Sequence, residues 1–127
     1  QPVMYPFGHG LSYATFQYEG IQAKVKKDAV EVTFTLTNQG AMQAEEVVQL
    51  YASRPESAIE RPAQELKAFQ RVSLAPGESK QVALTIPRDD FRHWDEAIGG
   101  WQVESGKVVL RVGTSSRELS LQTEIQL

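Results

Sequence analysis

The sequence predicts an all-β protein, an antiparallel β-sandwich of about seven or eight short strands. Apolar and polar residues alternate in several runs, most regularly over residues 30–37, and a period of two is typical of a strand with one buried face. Turn residues such as Gly, Pro, Asn and Asp separate these runs at spacings of about ten residues. Helical periodicity is absent at any length, so strands and turns account for the whole pattern.

The first two strands are predicted to form one side of a sheet. Residues 15–24 are predicted as an edge strand that is broken near Gly20. Three lysines, Lys24, Lys26 and Lys27, precede the turn predicted at Asp28. Lysines commonly protect a sheet edge from further pairing, and a polyanion site is the alternative interpretation. Residues 30–37 then form a half-buried strand, and the turn residues 38–40 end it. Its inward face is Val30, Val32, Phe34 and Leu36.

The segment 45–85 is predicted to organise the fold. Residues 46–51 carry apolar groups on both faces, which favours a central strand. After an irregular loop, a strand over residues 65–74 and a return strand from about residue 79 are separated by four residues, 75–78. Because a parallel pair needs a crossover of about a dozen residues, this connection predicts an antiparallel hairpin. Pro76 and Gly77 suit the two corners of its turn.

The last third of the chain is predicted as a helical turn followed by three short strands. Pro87 ends the return strand, and residues 88–95 resemble one helical turn with Phe91 and Trp94 as a plug for the sandwich. Turns are predicted at 99–100, 104–106 and 113–116, and the strands between and after them carry Trp101, Val108, Leu110, Val112, Leu119, Leu121 and Ile125. This order of strands and turns is typical of an immunoglobulin or fibronectin III-like sandwich.

Composition excludes several classes of function. A length of 127 residues suits one domain. The net charge of −3 and the pI of about 5.4 argue against a nucleic-acid partner, and no apolar run approaches the ~20 residues of a membrane span. The chain has no cysteine, so thiolate chemistry is not available. It opens abruptly on Gln1 without a signal-peptide pattern, and we expect a mature or excised fragment.

The N-terminal segment is predicted to be an irregular connector. Two prolines and two glycines fall within residues 1–13, which rules out a regular element. The segment nevertheless carries five large apolar side chains, namely Met4, Tyr5, Phe7, Leu11 and Tyr13. We therefore expect residues 1–14 to pack against a neighbouring body, with these five residues as interdomain contacts, and residues 15–127 to form the sandwich domain.

Residue constellations that could carry chemistry are weak. A zinc site would need three or four ligands, and its sole candidate, His93 with neighbouring acidic residues, is more typical of a solvated loop; we expect no metal. His9 and Ser12 lack the strand and helix of a nucleophile elbow. Neighbouring residues of a strand point to opposite faces, so Glu45 and Glu46 are not expected to be an opposed catalytic pair.

Two tryptophans admit two interpretations. Exposed on a sandwich, Trp94 and Trp101 would form a sugar-stacking platform, as in a carbohydrate-binding module. Large aromatic side chains of a small domain are mostly buried, so the second interpretation, which we favour, is that both cap the core.

A series of ordered motifs runs through nearly the whole chain. It comprises Tyr5-Pro6-Phe7-Gly8-His9-Gly10-Leu11-Ser12-Tyr13, Thr15-Phe16, Asn38-x-Gly40, Glu45-Glu46-Val47-Val48-Gln49-Leu50-Tyr51, Arg61-Pro62, Glu65-Leu66-Lys67, Phe69, Arg71-Val72, Leu74, Pro76-Gly77-Glu78, Trp94-Asp95 and Val112-Gly113-x-Ser115-Ser116. This series resembles the C-terminal fibronectin III-like domain of family 3 glycoside hydrolases, the β-glucosidase and β-xylosidase group. Ala44 departs from the usual Gly of that pattern, and Gln39 replaces the commoner Thr.

The resemblance implies that sugar chemistry belongs to two earlier domains. An aspartate nucleophile would lie on a (β/α)8 barrel and a general acid/base, often a glutamate, on an α/β domain. No residue of this chain matches either motif, so we expect no catalytic residue and no cofactor in it. The implied role is an accessory domain that packs on the preceding catalytic domains of a periplasmic or secreted enzyme. The alternative is a carbohydrate-binding module that holds an oligosaccharide through Trp94 and Trp101.

Overall fold

The computed structural model describes residues 15–57, 64–115 and 118–127. These residues form nine strands and one 3₁₀ turn, against the seven or eight strands that the sequence predicts. The strands are Phe16–Val25 (β1), Ala29–Asn38 (β2), Ala44–Ser53 (β3), Glu65–Leu74 (β4), Ser79–Pro87 (β5), Arg92–Asp95 (β6), Gly100–Val103 (β7), Lys107–Ser115 (β8) and Glu118–Gln126 (β9), and the 3₁₀ turn is Arg88–Phe91.

The strands build a sandwich of two antiparallel sheets with a small separate ribbon. One sheet has the order β1-β2-β5 and the other has the order β4-β3-β8-β9. Strands β6 and β7 pair only with each other among the described residues. The predicted fold class is therefore confirmed, with β1 at a sheet edge and β3 in the interior of its sheet.

The core lies between the two sheets and follows the alternating pattern. All four inward side chains predicted for β2 are at most 1% exposed. Val48 and Leu50 of β3 and Leu110 of β8 face them from the other sheet and are fully buried. Burial of a side chain of this kind contributes about 1.5–3 kcal/mol, so these alternating positions fix which face of each strand turns inward.

The predicted hairpin of β4 and β5 is wrong. β4 pairs with β3 in one sheet, whereas β5 pairs with β2 in the other. The turn itself forms as predicted, with Gly77 at a φ of 75° and the Glu78 amide donating to the Ala75 carbonyl at 3.0 Å. The connection is thus an arch that carries the chain from one sheet to the other.

Asn38, at the end of β2, explains this outcome. Its carbonyl accepts a hydrogen bond from the Gly77 amide at 2.7 Å, and its amide donates to the Glu78 carbonyl at 2.9 Å. Its side-chain Nδ2 donates to the carbonyl of Leu74, the last residue of β4, at 3.0 Å. These bonds hold the turn against β2, so the chain that leaves the turn pairs with β2 and not with β4.

Two further boundaries differ from the sequence-based expectation. Residues 88–95 are not one helical turn, because the 3₁₀ turn ends at Phe91 and a strand follows. The turn expected over residues 113–116 is wrong for its first three positions, because β8 runs on to Ser115. Gly113 faces β9 so closely that a Cβ atom there would overlap the Glu118 backbone. The irregularity predicted near Gly20 is confirmed, since Gly20 has a φ of 68° and lies within a register shift of β1.

No helix in the part of the chain that the structure describes is long and apolar enough to cross a membrane.

Candidate functional site

The β6–β7 ribbon carries the two tryptophans as a directly opposed pair. Trp94 faces Trp101 across the ribbon, with the ring centres 5.6 Å apart and the ring planes at 83°. The connecting turn suits its residues, because the Ala97 amide donates to Asp95 Oδ1 at 2.9 Å and Gly99 has a φ of 65°. The guanidinium of Arg92 lies 4.7 Å from the centre of the Trp101 ring.

The expectation that both tryptophans cap the core is wrong. Trp94 is 51% exposed and Trp101 is 58% exposed. The reason is that residues 92–95 extend as a strand whose partner is β7, outside both main sheets. Phe91 alone of the predicted plug enters the core, where it is 3% exposed.

The tryptophan pair is not a flat platform. Rings that stack on successive sugars of a chain present their faces in roughly one plane, whereas these two rings stand nearly perpendicular. One face of Trp101 is also covered by Arg92. The pair can therefore grip a single ring or pack on a protein surface more readily than it can line a long sugar chain.

A second feature is an open cavity of about 440 Å³ near the ends of β1, β3 and β9. Two of its lining residues are joined by a hydrogen bond that the Tyr18 hydroxyl donates to Glu46 Oε2 at 3.1 Å. The Tyr18 ring stacks on Phe34 with centres 5.5 Å apart, so the aromatic ring joins the core while its hydroxyl reaches the cavity.

Burial governs the electrostatics of this cavity. Desolvation raises the pKa of the Glu46 carboxyl above its ordinary value, and the nearby Glu118 adds to this effect while the Tyr18 hydrogen bond opposes it. Desolvation also raises the pKa of the Tyr18 hydroxyl, and the charge of Glu46 raises it further. Tyr18 is therefore a neutral hydrogen-bond donor and not a base.

The neighbouring carboxylates Glu45 and Glu46 do not form an opposed pair. Glu46 is held by Tyr18 between the sheets, whereas Glu45 reaches Arg71 in an ion pair of 3.9 Å. This is the opposite-face arrangement expected for neighbours on a strand. Among residues 15–57, 64–115 and 118–127, no group of three His, Cys, Asp or Glu side chains could hold a metal ion.

A third feature is an apolar patch on the outer face of β3 and β4, formed by Val47, Tyr51, Leu66 and Phe69; we call it the β3–β4 outer face. Phe69 is 69% exposed and Leu66 is 48% exposed. Phe69 pairs with Gln49 in the register, and Gln49 Oε1 accepts a hydrogen bond from the Tyr51 hydroxyl. These contacts place the aromatic side chains on the face that points away from the core.

A bulge at Lys67 creates this patch. The register of β3 and β4 shifts there, with Leu50 opposite Ala68 and Tyr51 opposite Leu66. Lys67 consequently turns towards the core, where its ammonium lies 5.4 Å from the centre of the Phe91 ring. Leu66 is turned outward to lie beside Tyr51, because an extra residue in one strand reverses the facing of what precedes it.

Sequence reasoning missed this patch. Phe69 could have been placed outward, because Val72 and Leu74 are apolar at alternate positions of the same strand. Leu66 could not have been placed outward. It lies three positions from Phe69, which predicts opposite faces of a regular strand, and no local residue type marks the bulge that brings them to the same face. The five predicted interdomain residues lie outside the described residues: Met4, Tyr5, Phe7, Leu11 and Tyr13.

Comparison with known proteins agrees with the fold. The chain is 39% identical to the thermostable β-glucosidase B of Acetivibrio thermocellus, over 98% of this chain and 17% of that protein. It is 42% identical to an exo-α-(1→6)-L-arabinopyranosidase of Bifidobacterium longum, over 93% of this chain and 16% of that protein. The crystal structure of a GH3 β-glucosidase of Bifidobacterium adolescentis superposes with a TM-score of 0.83 at 40% identity, over 97% of this chain and 18% of that one.

The chain thus spans less than a fifth of the length of each of these relatives. The family model described as "Fibronectin type III-like domain" matches residues 46–116, which is more than half of the 127 residues. By sequence and by fold, this chain belongs to the fibronectin type III-like domain family.

Proposed function

We propose that the chain is the C-terminal, non-catalytic accessory domain of a family 3 glycoside hydrolase of the β-glucosidase type, and that it packs on the catalytic domains and stabilises them. The observation that carries this proposal is the pattern of coverage. Nearly all of this chain aligns with glycosidases, yet it aligns with only 17% of the β-glucosidase of Acetivibrio thermocellus. A module that is a small fraction of an enzyme, and that is built as a sandwich, fits a supporting role.

The arrangement of acidic groups supports the non-catalytic part of the proposal. Glycoside hydrolysis uses two carboxyl groups that face each other across a cleft, about 5–9 Å apart. Here the most buried of the cavity carboxylates, Glu46, is engaged by Tyr18, and its neighbour Glu45 is directed to Arg71 on the outer surface. We infer that the acid, the base and the nucleophile reside in the preceding domains.

The test compares the complete polypeptide with the 127-residue chain alone. The complete polypeptide is expected to hydrolyse a nitrophenyl β-glucoside, or the corresponding α-L-arabinopyranoside, whereas the chain alone is expected to be inactive. Hydrolysis by the chain alone, above the rate of its Tyr18→Phe/Glu46→Gln double variant, would overturn the non-catalytic assignment. A complete polypeptide without glycosidase activity would overturn the proposed parent enzyme.

The exposure of the β6–β7 ribbon favours a second candidate function, the binding of an oligosaccharide. Trp94 and Trp101 are both more than half exposed, and an aromatic face can stack on a sugar ring. Titration of soluble oligosaccharides against tryptophan fluorescence tests this candidate. A saturable shift that is lost in Trp101→Ala would support it, and a flat response would leave the supporting role alone.

We further propose that the parent enzyme acts in the periplasm or outside the cell, a proposal supported by the family resemblance of the motifs. Fractionation of cells that produce the complete polypeptide, followed by an assay of each fraction, tests it; activity confined to the cytoplasm would overturn it.

A further inference from the structure

We propose that the β3–β4 outer face is the surface on which this domain docks against the catalytic domains of its own polypeptide. This inference rests on the proposed function and assigns the contact to particular residues of the sandwich. The proposed partner of this face is the upstream body of the same chain, and not a second copy or a separate protein.

The β3–β4 outer face is apolar and exposed. Phe69 has the highest exposure of the large apolar side chains among the described residues, Leu66 is about half exposed, and Val47 and Tyr51 lie beside them in the register. A contiguous apolar patch on a soluble domain commonly marks an interaction site. Aromatic residues are also enriched at the centres of interfaces.

The bulge at Lys67 produces part of this face. In a regular strand, Leu66 would point inward and Lys67 outward, because facing alternates. The bulge reverses the facing of both side chains. The Lys67 ammonium donates a hydrogen bond to the Asp90 carbonyl at 2.8 Å. A bulge interrupts the ladder of hydrogen bonds. Here it places the Leu66 side chain on the outer face, beside Tyr51 and Phe69.

The rim of the face is polar. One end of the face is closed by the ion pair of Glu45 with Arg71. On the other side, Arg111 of β8, opposite Tyr51, donates to Gln122 Oε1 at 2.9 Å. An apolar centre with a polar, hydrogen-bonding rim is the usual anatomy of a protein interface.

The upstream part of the polypeptide is the body proposed to cover this face. The chain accounts for 16–18% of the length of the relatives compared above, so most of such a polypeptide lies outside it. The described chain starts at Thr15, which borders the same cavity as Glu45, and Glu45 begins the row of outer-face residues on β3. A body attached upstream of Thr15 is therefore joined at the end of the sandwich where Glu45 begins β3.

A tether of the length of residues 1–14 lets an upstream body reach the face. Strand β3 has ten residues, and a strand of this length extends about 33 Å. A connector of residues 1–14 can reach about 45 Å when extended. Covalent attachment also raises the effective concentration of the upstream body to about the millimolar range, so the face needs an intrinsic dissociation constant only below about a millimolar to stay docked.

The test is hydroxyl-radical footprinting of the complete polypeptide and of the 127-residue chain alone. Phe69 and Leu66 are expected to be oxidised several-fold more slowly in the complete polypeptide than in the chain alone. Ile98, which is similarly exposed at the tip of the β6–β7 ribbon, is the matched internal control and is expected to be oxidised at the same rate in both. Equal oxidation of Phe69 in both samples would overturn the docking surface.

Variants add a second readout. Phe69→Asp in the complete polypeptide is expected to release the domain, seen as an increased radius of gyration in X-ray scattering and faster proteolysis within the connector. Ile98→Asp is the matched control and is expected to change neither. If Ile98→Asp alone produced these effects, the ribbon and not the outer face would be the docking surface, and the proposal would be wrong.

The remaining outcomes are also decisive. Protection of Phe69 in the chain alone, appearing with concentration and with a doubled mass in light scattering, would show that a second copy occupies the face. A glycosidase assay on the same complete polypeptide judges the proposed function separately. An active enzyme with an unprotected Phe69 rejects the docking surface alone, and an inactive polypeptide with a protected Phe69 rejects only the proposed function.

Discussion

Lys67 and Phe91 are packed together at the base of the sandwich. The Lys67 ammonium lies 5.4 Å from the centre of the Phe91 ring and donates to the carbonyl of Asp90, one residue earlier, at 2.8 Å. The lysine side chain is only 13% exposed and its ammonium also lies 3.9 Å from Glu65 Oε2, while the hydrogen bond to Asp90 lies at the surface. One side chain from the β4 bulge thereby holds the 3₁₀ turn that inserts Phe91 into the core.

Lys67→Met is expected to reduce the free energy of unfolding by about 1–2 kcal/mol, because it removes a cation–π contact and a charge-assisted hydrogen bond while keeping the apolar stem. Urea denaturation of the chain, followed by circular dichroism, measures the change. Lys24→Met, at an exposed position of β1, is the control. Equal midpoints for the two variants would contradict the role assigned to Lys67.

Asn38→Ala is expected to reduce the free energy of unfolding by about 2–3 kcal/mol, because it leaves buried backbone groups without partners. The side chain donates to the carbonyls of Met42 and Leu74 and accepts from the Gly40 amide. The same denaturation experiment measures the loss. The control is Gln39→Ala, at the next and exposed position, which is expected to stay within about 0.5 kcal/mol of the parent. If Asn38→Ala lost no more stability than this control, the arch would not depend on the Asn38 side chain.

Gly113→Ala is expected to reduce the free energy of unfolding by about 1–3 kcal/mol, since the added methyl group overlaps backbone and cannot be accommodated by a side-chain rotation. The overlap is with the carbonyl of Glu118 and the Cα of Leu119. Gly100→Ala is the matched control, because a Cβ there meets nothing within 4 Å. Thermal unfolding compares the two variants, and similar melting temperatures would show that β8 and β9 separate without cost.

Glu46→Gln is expected to change how stability depends on pH. The pKa of Glu46 is raised in the folded chain above its ordinary 4.5, so the folded state binds the proton more tightly than the unfolded state does. Its contribution to stability is therefore fully present below pH 4.5 and is lost as the pH rises through the folded pKa. Glutamine has no such proton to lose.

The free energies of unfolding of the parent and of Glu46→Gln, measured from acid to neutral pH, check this sign. The parent is expected to lose stability relative to the variant as the pH rises, and other titrating groups cancel in the difference. A difference that is constant, or that favours the parent more at neutral pH, would mean that Glu46 is not desolvated in the folded chain.

The strands could be predicted from the sequence because their facing follows from local alternation. In β2, each buried residue is followed by one that is less buried, and no distant contact is needed to recognise this pattern. The turn at Gly77 could also be predicted, because glycine adopts the positive φ of that corner without steric cost.

Strand partners could not be predicted in the same way. The turn chemistry of Pro76 and Gly77 specifies a reversal of direction but not the strand on which the reversed chain settles. That choice depends on Asn38, which lies 36 residues before Leu74. The outward positions of Leu66, Trp94 and Trp101 depend likewise on pairing, either at the Lys67 bulge or across the ribbon, and composition alone favoured burial for both tryptophans.

The arch at residues 75–78 has a mechanical consequence. When two strands share one ladder, tension applied to their free ends opens the rungs one after another, at low force. Here β4 and β5 are bonded to different neighbours in different sheets, so tension across this connection loads two ladders in shear together. A body that pulled on one sheet of this domain would therefore transmit part of that load to the other sheet through residues 75–78.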